Sequence, residues 1–163
     1  MNRRPLLLAP FAFSLARQAR SADAAALLTV SGKIKRSNGP SNSFSFSEEA
    51  FQALEQSTIF TSTFWTPKAK FEGPKLSTVM SYVGATGTSL RCYALDDYNV
   101  LLPFDDLSRF QPIVAHSMDG QRLQRARFGP LWVIYPRDQF RSELDGSIGG
   151  GKFIWQLRRI VVE

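Results

Sequence analysis

Short runs rich in β-branched and aromatic residues, separated by turn-forming residues, make up most of this chain. Residues 27–34 (LLTVSGKI) predict a first strand, and residues 37–43 (SNGPSNS) a loop, with a short extended piece at 44–46. Ser47 is a helix N-cap by type, and Glu48 and Glu49 follow where the helix dipole favours anions. A helix of two to three turns through Gln56 is therefore expected, with Phe51 and Leu54 facing inward. Residues 58–64 (TIFTSTF) predict a strand, and residues 65–73 a loop rich in Lys and Pro. Pro74 then suits a helix start. Leu76, Val79, Met80 and Val83 fall at i, i+3, i+4 and i+7, one apolar helical stripe, with Gly84 as its C-cap.

The second half predicts β structure. Residues 89–95 and 98–102 flank Asp96-Asp97 as a hairpin, and 103–110 form a short helical connection. Residues 113–118 lead into the Asp119-Gly120 turn, and 131–135 form an apolar strand closed by Pro136. Residues 137–151, polar and ending in three glycines, are expected to be a mobile loop, and 155–162 the last strand. The pattern amounts to an α+β domain of mostly mixed, barrel-like sheets with a few short helices. It contains no repeat and no dividing linker.

The 163 residues suffice for one domain with a sizeable core, and 13 Phe predict large-residue packing. One Cys and one His exclude a disulfide framework and a Cys/His zinc site. The formal net charge of +6 is concentrated at the start of the chain, where Arg3, Arg4, Arg17 and Arg20 face only Asp23. Without that segment the charge is about +3, weak support for a polyanion, and nucleic acid is not an expected partner.

The same segment carries an address. A basic start, an apolar run over 6–16 too short to span a bilayer, and Ala22-Asp23-Ala24 form a secretory signal peptide over residues 1–24. The expected location is periplasmic or secreted, by the general route; Arg3-Arg4 also resembles a twin-arginine signal. The mature domain, 25–163, contains no membrane span.

Several patterns in the mature chain then agree in order. Val30-Ser31-Gly32-Lys33-Ile34 resembles the V-x-G-x-V opening of the oxidoreductase molybdopterin-binding, or sulfite oxidase-like, family. Phe71-Glu72-Gly73-Pro74 running into Leu76, Val79 and Met80 resembles its F-x-G-x-x-L-x-x-L-L segment. Leu95-Asp96-Asp97-Tyr98 is similar to its A-x-D-G-Y hairpin, with Asp97 in place of Gly. Pro103, residues 114–121, Gly129-Pro130-Leu131 with 133–136, and Trp155 to Ile160 match later segments, so the resemblance covers roughly residues 28–162. It implies the sulfite-oxidase molybdopterin-binding fold and, for typical members, oxidoreductase activity with molybdenum held by the pterin and one cysteine thiolate.

The resemblance also implies where that cysteine belongs: four residues before a Trp. Trp65 matches the Trp, and position 61 is Thr. A hydroxyl is hard and un-ionised at neutral pH, whereas a thiolate is soft and anionic. Cys92 alternates with Arg91 and Tyr93 in a strand and is expected to be a small buried residue. The family's pterin-side arginine is Trp132 here, and its histidine is absent near Arg127 and Phe128. These departures set the expectation of no cofactor, with molybdopterin as the alternative. The expected function is a non-catalytic module binding a small ligand or a periplasmic protein in the old cofactor cleft. Thr61, Trp65, Tyr98, Arg125, Arg127 and Lys152 are its candidate lining residues, with Arg122 a further positive charge. The alternative is a molybdopterin-dependent oxidoreductase with atypical ligation. Asp96-Asp97 and Asp105-Asp106 are expected to form turns and caps rather than act as acid/base pairs. His116 is expected to be structural, and Trp65 and Trp155 to line a pocket or pack in the core.

Overall fold

A computed structural model describes residues 26–163; the predicted signal peptide at 1–24 lies outside the described residues. In chain order the elements are β1 (Leu28–Gly32), β2 (Ser43–Phe46), α1 (Glu48–Gln52), β3 (Gln56–Thr61), β4 (Ala69–Pro74) and α2 (Leu76–Val83). Then come β5 (Ser89–Ala94), β6 (Asn99–Pro103), α3 (Asp106–Arg109), β7 (Ile113–Ala115), β8 (Ser117–Met118), β9 (Gln121–Arg122) and β10 (Trp132–Ile134). A 3₁₀ turn (Arg137–Gln139), α4 (Arg141–Leu144), α5 (Ser147–Gly151) and β11 (Leu157–Val162) complete it.

The strands form three sheets ordered β2-β1-β11-β5-β6, β3-β4-β8-β9 and β10-β7. β1 runs parallel to β11, which joins the two ends of the domain, and the other pairs are antiparallel. The architecture is α+β with mostly mixed sheets, as the sequence predicts, but among the described residues no sheet closes into a barrel. Leu76, Val79, Met80 and Val83 are all buried, as the helical stripe requires, and Gly84 caps the helix at φ 64°.

Five local expectations are corrected. The Lys/Pro-rich stretch is not all loop: Ala69, Phe71 and Gly73 are buried while Lys70 is exposed, the period-two pattern of β4. Pro74 therefore closes a strand rather than opening a helix, and Lys75 occupies the N-cap of α2. The first helix ends at Gln52, although Ser47 caps it as expected by accepting a hydrogen bond from the Ala50 N–H at 3.1 Å. The next strand accordingly starts at Gln56 and stops at Thr61. Residues 137–151 are folded into three short helical pieces, tied by ion pairs of Arg137 with Asp145 at 2.7 Å and of Arg141 with Asp138 at 2.8 Å.

Two motif positions acquire physical reasons. A Cβ at Gly73 would lie 2.0 Å from the Val114 carbonyl oxygen, so only glycine lets β4 approach β7. Asp97, where the family pattern has Gly, sits at φ 64° in the turn between β5 and β6, a left-handed conformation that Asp tolerates better than most residues.

Candidate functional site

Three segments meet at one edge of the domain: the loop after β3, the β5–β6 turn, and the glycine run of α5 with the residues after it. Trp65 comes from the first, Ala94, Asp96 and Tyr98 from the second, and Gly150, Gly151, Ile154 and Trp155 from the third. They enclose a cleft of about 330 Å³. The Trp65 and Trp155 rings meet edge to face, centroids 4.4 Å apart at 85°. Tyr98 remains 54% exposed and Trp65 45%, so their rings are available to a ligand. Asp96 holds the turn by accepting the Tyr98 N–H at 3.1 Å, the turn-forming role expected of it.

Below the cleft the Trp65 loop is locked by hydroxyls. Thr61 is buried at the end of β3; its Oγ1 accepts the Asp138 N–H at 3.0 Å and donates to the Ser62 carbonyl at 3.3 Å. Asp138 accepts from the Ser62 N–H at 2.9 Å and from the Ser62 hydroxyl at 2.6 Å. Thr63 Oγ1 accepts the N–H groups of Trp65 and Thr66. Arg137 donates to Ser62 Oγ at 2.9 Å, and its guanidinium lies 4.4 Å from the Phe64 ring centroid. Its Nε pairs with Asp145 by proximity alone, at an angle that makes no hydrogen bond.

The Ser62 hydroxyl and, to a lesser extent, its N–H and Arg141 hold the Asp138 carboxyl below the usual carboxylate range, against burial, which acts to raise it. A folded-state value below the unfolded one means stabilisation that is complete above about pH 4 and is lost as pH falls through the folded value. Asp138→Asn is therefore expected to flatten the acid limb of a stability-versus-pH curve and to lower neutral-pH stability by about 2 kcal/mol. Denaturant titrations of both proteins between pH 3 and 7 check this; parallel acid limbs would contradict it.

The expected lining residues do not all converge. Trp65 and Tyr98 line the cleft; Thr61, Arg125, Arg127 and Lys152 do not. Arg127 lines a separate, smaller groove with Phe128, Met118, Gln121, Arg122 and Gln124. The Arg125 carbonyl accepts from Gln156 at 2.7 Å. Lys152 turns inward and donates to buried Asp106 at 2.7 Å, and Tyr135 donates to the same oxygen at 2.9 Å. Asp106 is thus the hub of a buried polar cluster rather than a helix cap. Burial, reinforced by Asp106, raises the Tyr135 phenol well above its ordinary range. His116 Nε2 lies 3.1 Å from Gln56 Oε1, and burial lowers its ring pKa.

The residues present do not supply the ligand set that the resemblance implies. Thr61 offers a satisfied, buried hydroxyl. Cys92 is fully buried in β5, where burial pushes its thiol pKa up to about 12, so it is not a thiolate. Among the described residues no three His, Cys, Asp or Glu side chains converge on a metal position. Trp132, where the family has arginine, is fully buried, stacked on Phe128 at 4.2 Å and 21°, and donates its indole N–H to the Phe153 carbonyl. Aromatic rings thus lie where the resemblance implies a pterin-directed cation.

A sulfane dehydrogenase, SoxCD from Paracoccus pantotrophus, shares this arrangement with a TM-score of 0.60 over 83% of the chain. The fold is that of the sulfite-oxidase family. At 13% identity the likeness concerns the fold alone, and this chain spans 37% of the length of that one. No family model and no curated protein matches the sequence.

Signals for the inner network were sparse in the sequence. Ser62 and Asp138 are 76 residues apart. Trp155, expected to line a pocket or pack in the core, does both: it lines the cleft and packs against Phe128 and Trp132.

Proposed function

We propose that this domain is an exported, non-catalytic binding module whose ligand site is the Trp65–Tyr98–Trp155 cleft. The observation that supports it most is a preformed aromatic cleft beside a loop whose metal-ligand position carries a buried, hydrogen-bonded Thr61. Its volume falls at the lower end of small-molecule sites, about 300–1,000 Å³, and its lining of aromatic and aliphatic groups with one carboxylate is typical of them. The address rests on residues 1–24, and an intact mass short by those residues in protein from its native host is the expected sign of export.

The test of the site uses N-phenyl-1-naphthylamine, a neutral apolar probe that fluoresces when bound. Saturable binding is expected, weakened roughly tenfold or more by Trp65→Ala, since covering a large apolar side chain contributes about 1.5–3 kcal/mol. Binding that ignores Trp65→Ala and Tyr98→Ala would place the site elsewhere.

The fold likeness favours one second reading, a molybdopterin-dependent oxidoreductase with an altered ligand set. It requires metal and pterin in the protein matured in its own host.

A further inference from the structure

We propose that the cleft selects a small organic cation, a quaternary or tertiary ammonium group, with Asp96 as its counter-charge. The proposal rests on the reading of the cleft as a ligand site and specifies the ligand's class.

The charge arrangement around the cleft is lopsided. Its lining contains one ionisable carboxylate, Asp96, and no Lys, Arg or His. The basic side chains nearby are directed elsewhere. Lys152, the neighbour of Gly151, pairs with buried Asp106. Arg158, which donates to the Ala94 carbonyl, pairs with Asp97. Arg137 lies over Phe64 and beside Asp145. Among the described residues no cation pairs with Asp96 itself, although basic residues outnumber acidic ones 20 to 14 in the whole chain. Its Tyr98 N–H contact fixes the carboxylate at the cleft's edge.

The walls suit the same class of ligand. Trp65, Trp155 and Tyr98 present π-systems, whose negative faces attract a cation without requiring hydrogen-bond donors from it. The two indoles are nearly perpendicular, which gives a corner rather than a flat stacking slot. A flat aromatic ligand would favour parallel walls; a roughly spherical alkylammonium group favours a corner. Ala94 and Ile154 add an aliphatic floor. Gly150 and Gly151 form the remaining wall from bare backbone. A Cβ at Gly150 would press on the Phe64 ring at 3.3 Å, and one at Gly151 would come within 4.0 Å of the Tyr98 hydroxyl, so side chains there would narrow the space.

The experiment compares choline with 3,3-dimethylbutan-1-ol, its neutral isostere, by calorimetric titration of the full chain. Choline is expected to bind roughly tenfold or more tightly than the alcohol, the difference being the cation–π and charge contribution. Asp96→Asn should lower the choline-to-alcohol affinity ratio by the part that the Asp96 charge contributes, about threefold or more, with the aromatic walls retaining the rest. Asp96 and Tyr98 are exposed, and circular dichroism of each variant is the check that it is folded. Equal affinity for the two compounds, or choline binding indifferent to Asp96→Asn, overturns the cation proposal. If the naphthylamine probe still binds in a Trp65-dependent way, the cleft survives as a site for another ligand class. If neither that probe nor choline binds, both readings fall.

Discussion

Replacing Asp106 with alanine is expected to destabilise the domain by about 3–5 kcal/mol, the loss seen when one member of a buried ion pair is removed. The Asp106 side chain is only 7% exposed and its Oδ2 accepts from both Lys152 and Tyr135. Without it, an ammonium group and a phenol are left in an apolar setting with Phe110 and Phe153 around them. The phenol loses its acceptor, and Lys152 loses its carboxylate partner. A surface pair gives the contrast. Arg109 and Glu143 also form an ion pair, with Arg109 62% exposed, and Glu143→Gln is expected to change stability by less than about 1 kcal/mol. Urea denaturation of both variants checks the ranking, and equal effects would mean that the Asp106 cluster is wet rather than buried.

The second large effect is expected at Trp132. Truncation to alanine should cost about 3–5 kcal/mol, because the indole touches Phe71, Phe128, Trp65 and Trp155 and donates to a buried carbonyl. Trp132→Arg is the more informative change, since it restores the residue type that the family resemblance places there. In a pterin-binding cleft it would be well tolerated and would confer affinity for phosphate. In this protein it buries an unpaired guanidinium among rings, and the expected loss is at least as large as that of the alanine variant. A Trp132→Arg protein as stable as the parent would show that the region opens as a cleft.

The sequence resolves the outer plan of this fold better than its inner ties. The α2 stripe was legible because eight residues give two helical turns, enough for the period to show. β4 was harder to see: its alternation lasts only from Ala69 to Gly73 and is flanked by Pro67 and Pro74, which signal loop. The helices of 137–151 are three to five residues long, too short for any period, and their ties are polar contacts such as Arg137–Asp145 within the segment and Ser62–Asp138 across the chain. In the site, Trp65 and Tyr98 could be placed by motif order. Lys152 and Arg127 could not, because sequence records a basic residue but not the direction of its side chain: Lys152 finds Asp106, 46 residues away, and Arg127 lines a separate groove with Phe128. The position of Thr61 was legible, and its bond to the Asp138 backbone, which closes the loop, was not.

Thr61, tied to the Asp138 N–H, and the buried Trp132 stand where the resemblance implies a thiolate and an arginine, and on these two positions rests the proposal of a domain without molybdenum chemistry. The most direct measurement is the molybdenum and pterin content of the protein purified from its native host. The account predicts far less than one equivalent of either. Near-stoichiometric molybdenum with pterin would contradict it, and would make the domain an oxidoreductase that ligates its metal without a cysteine at position 61.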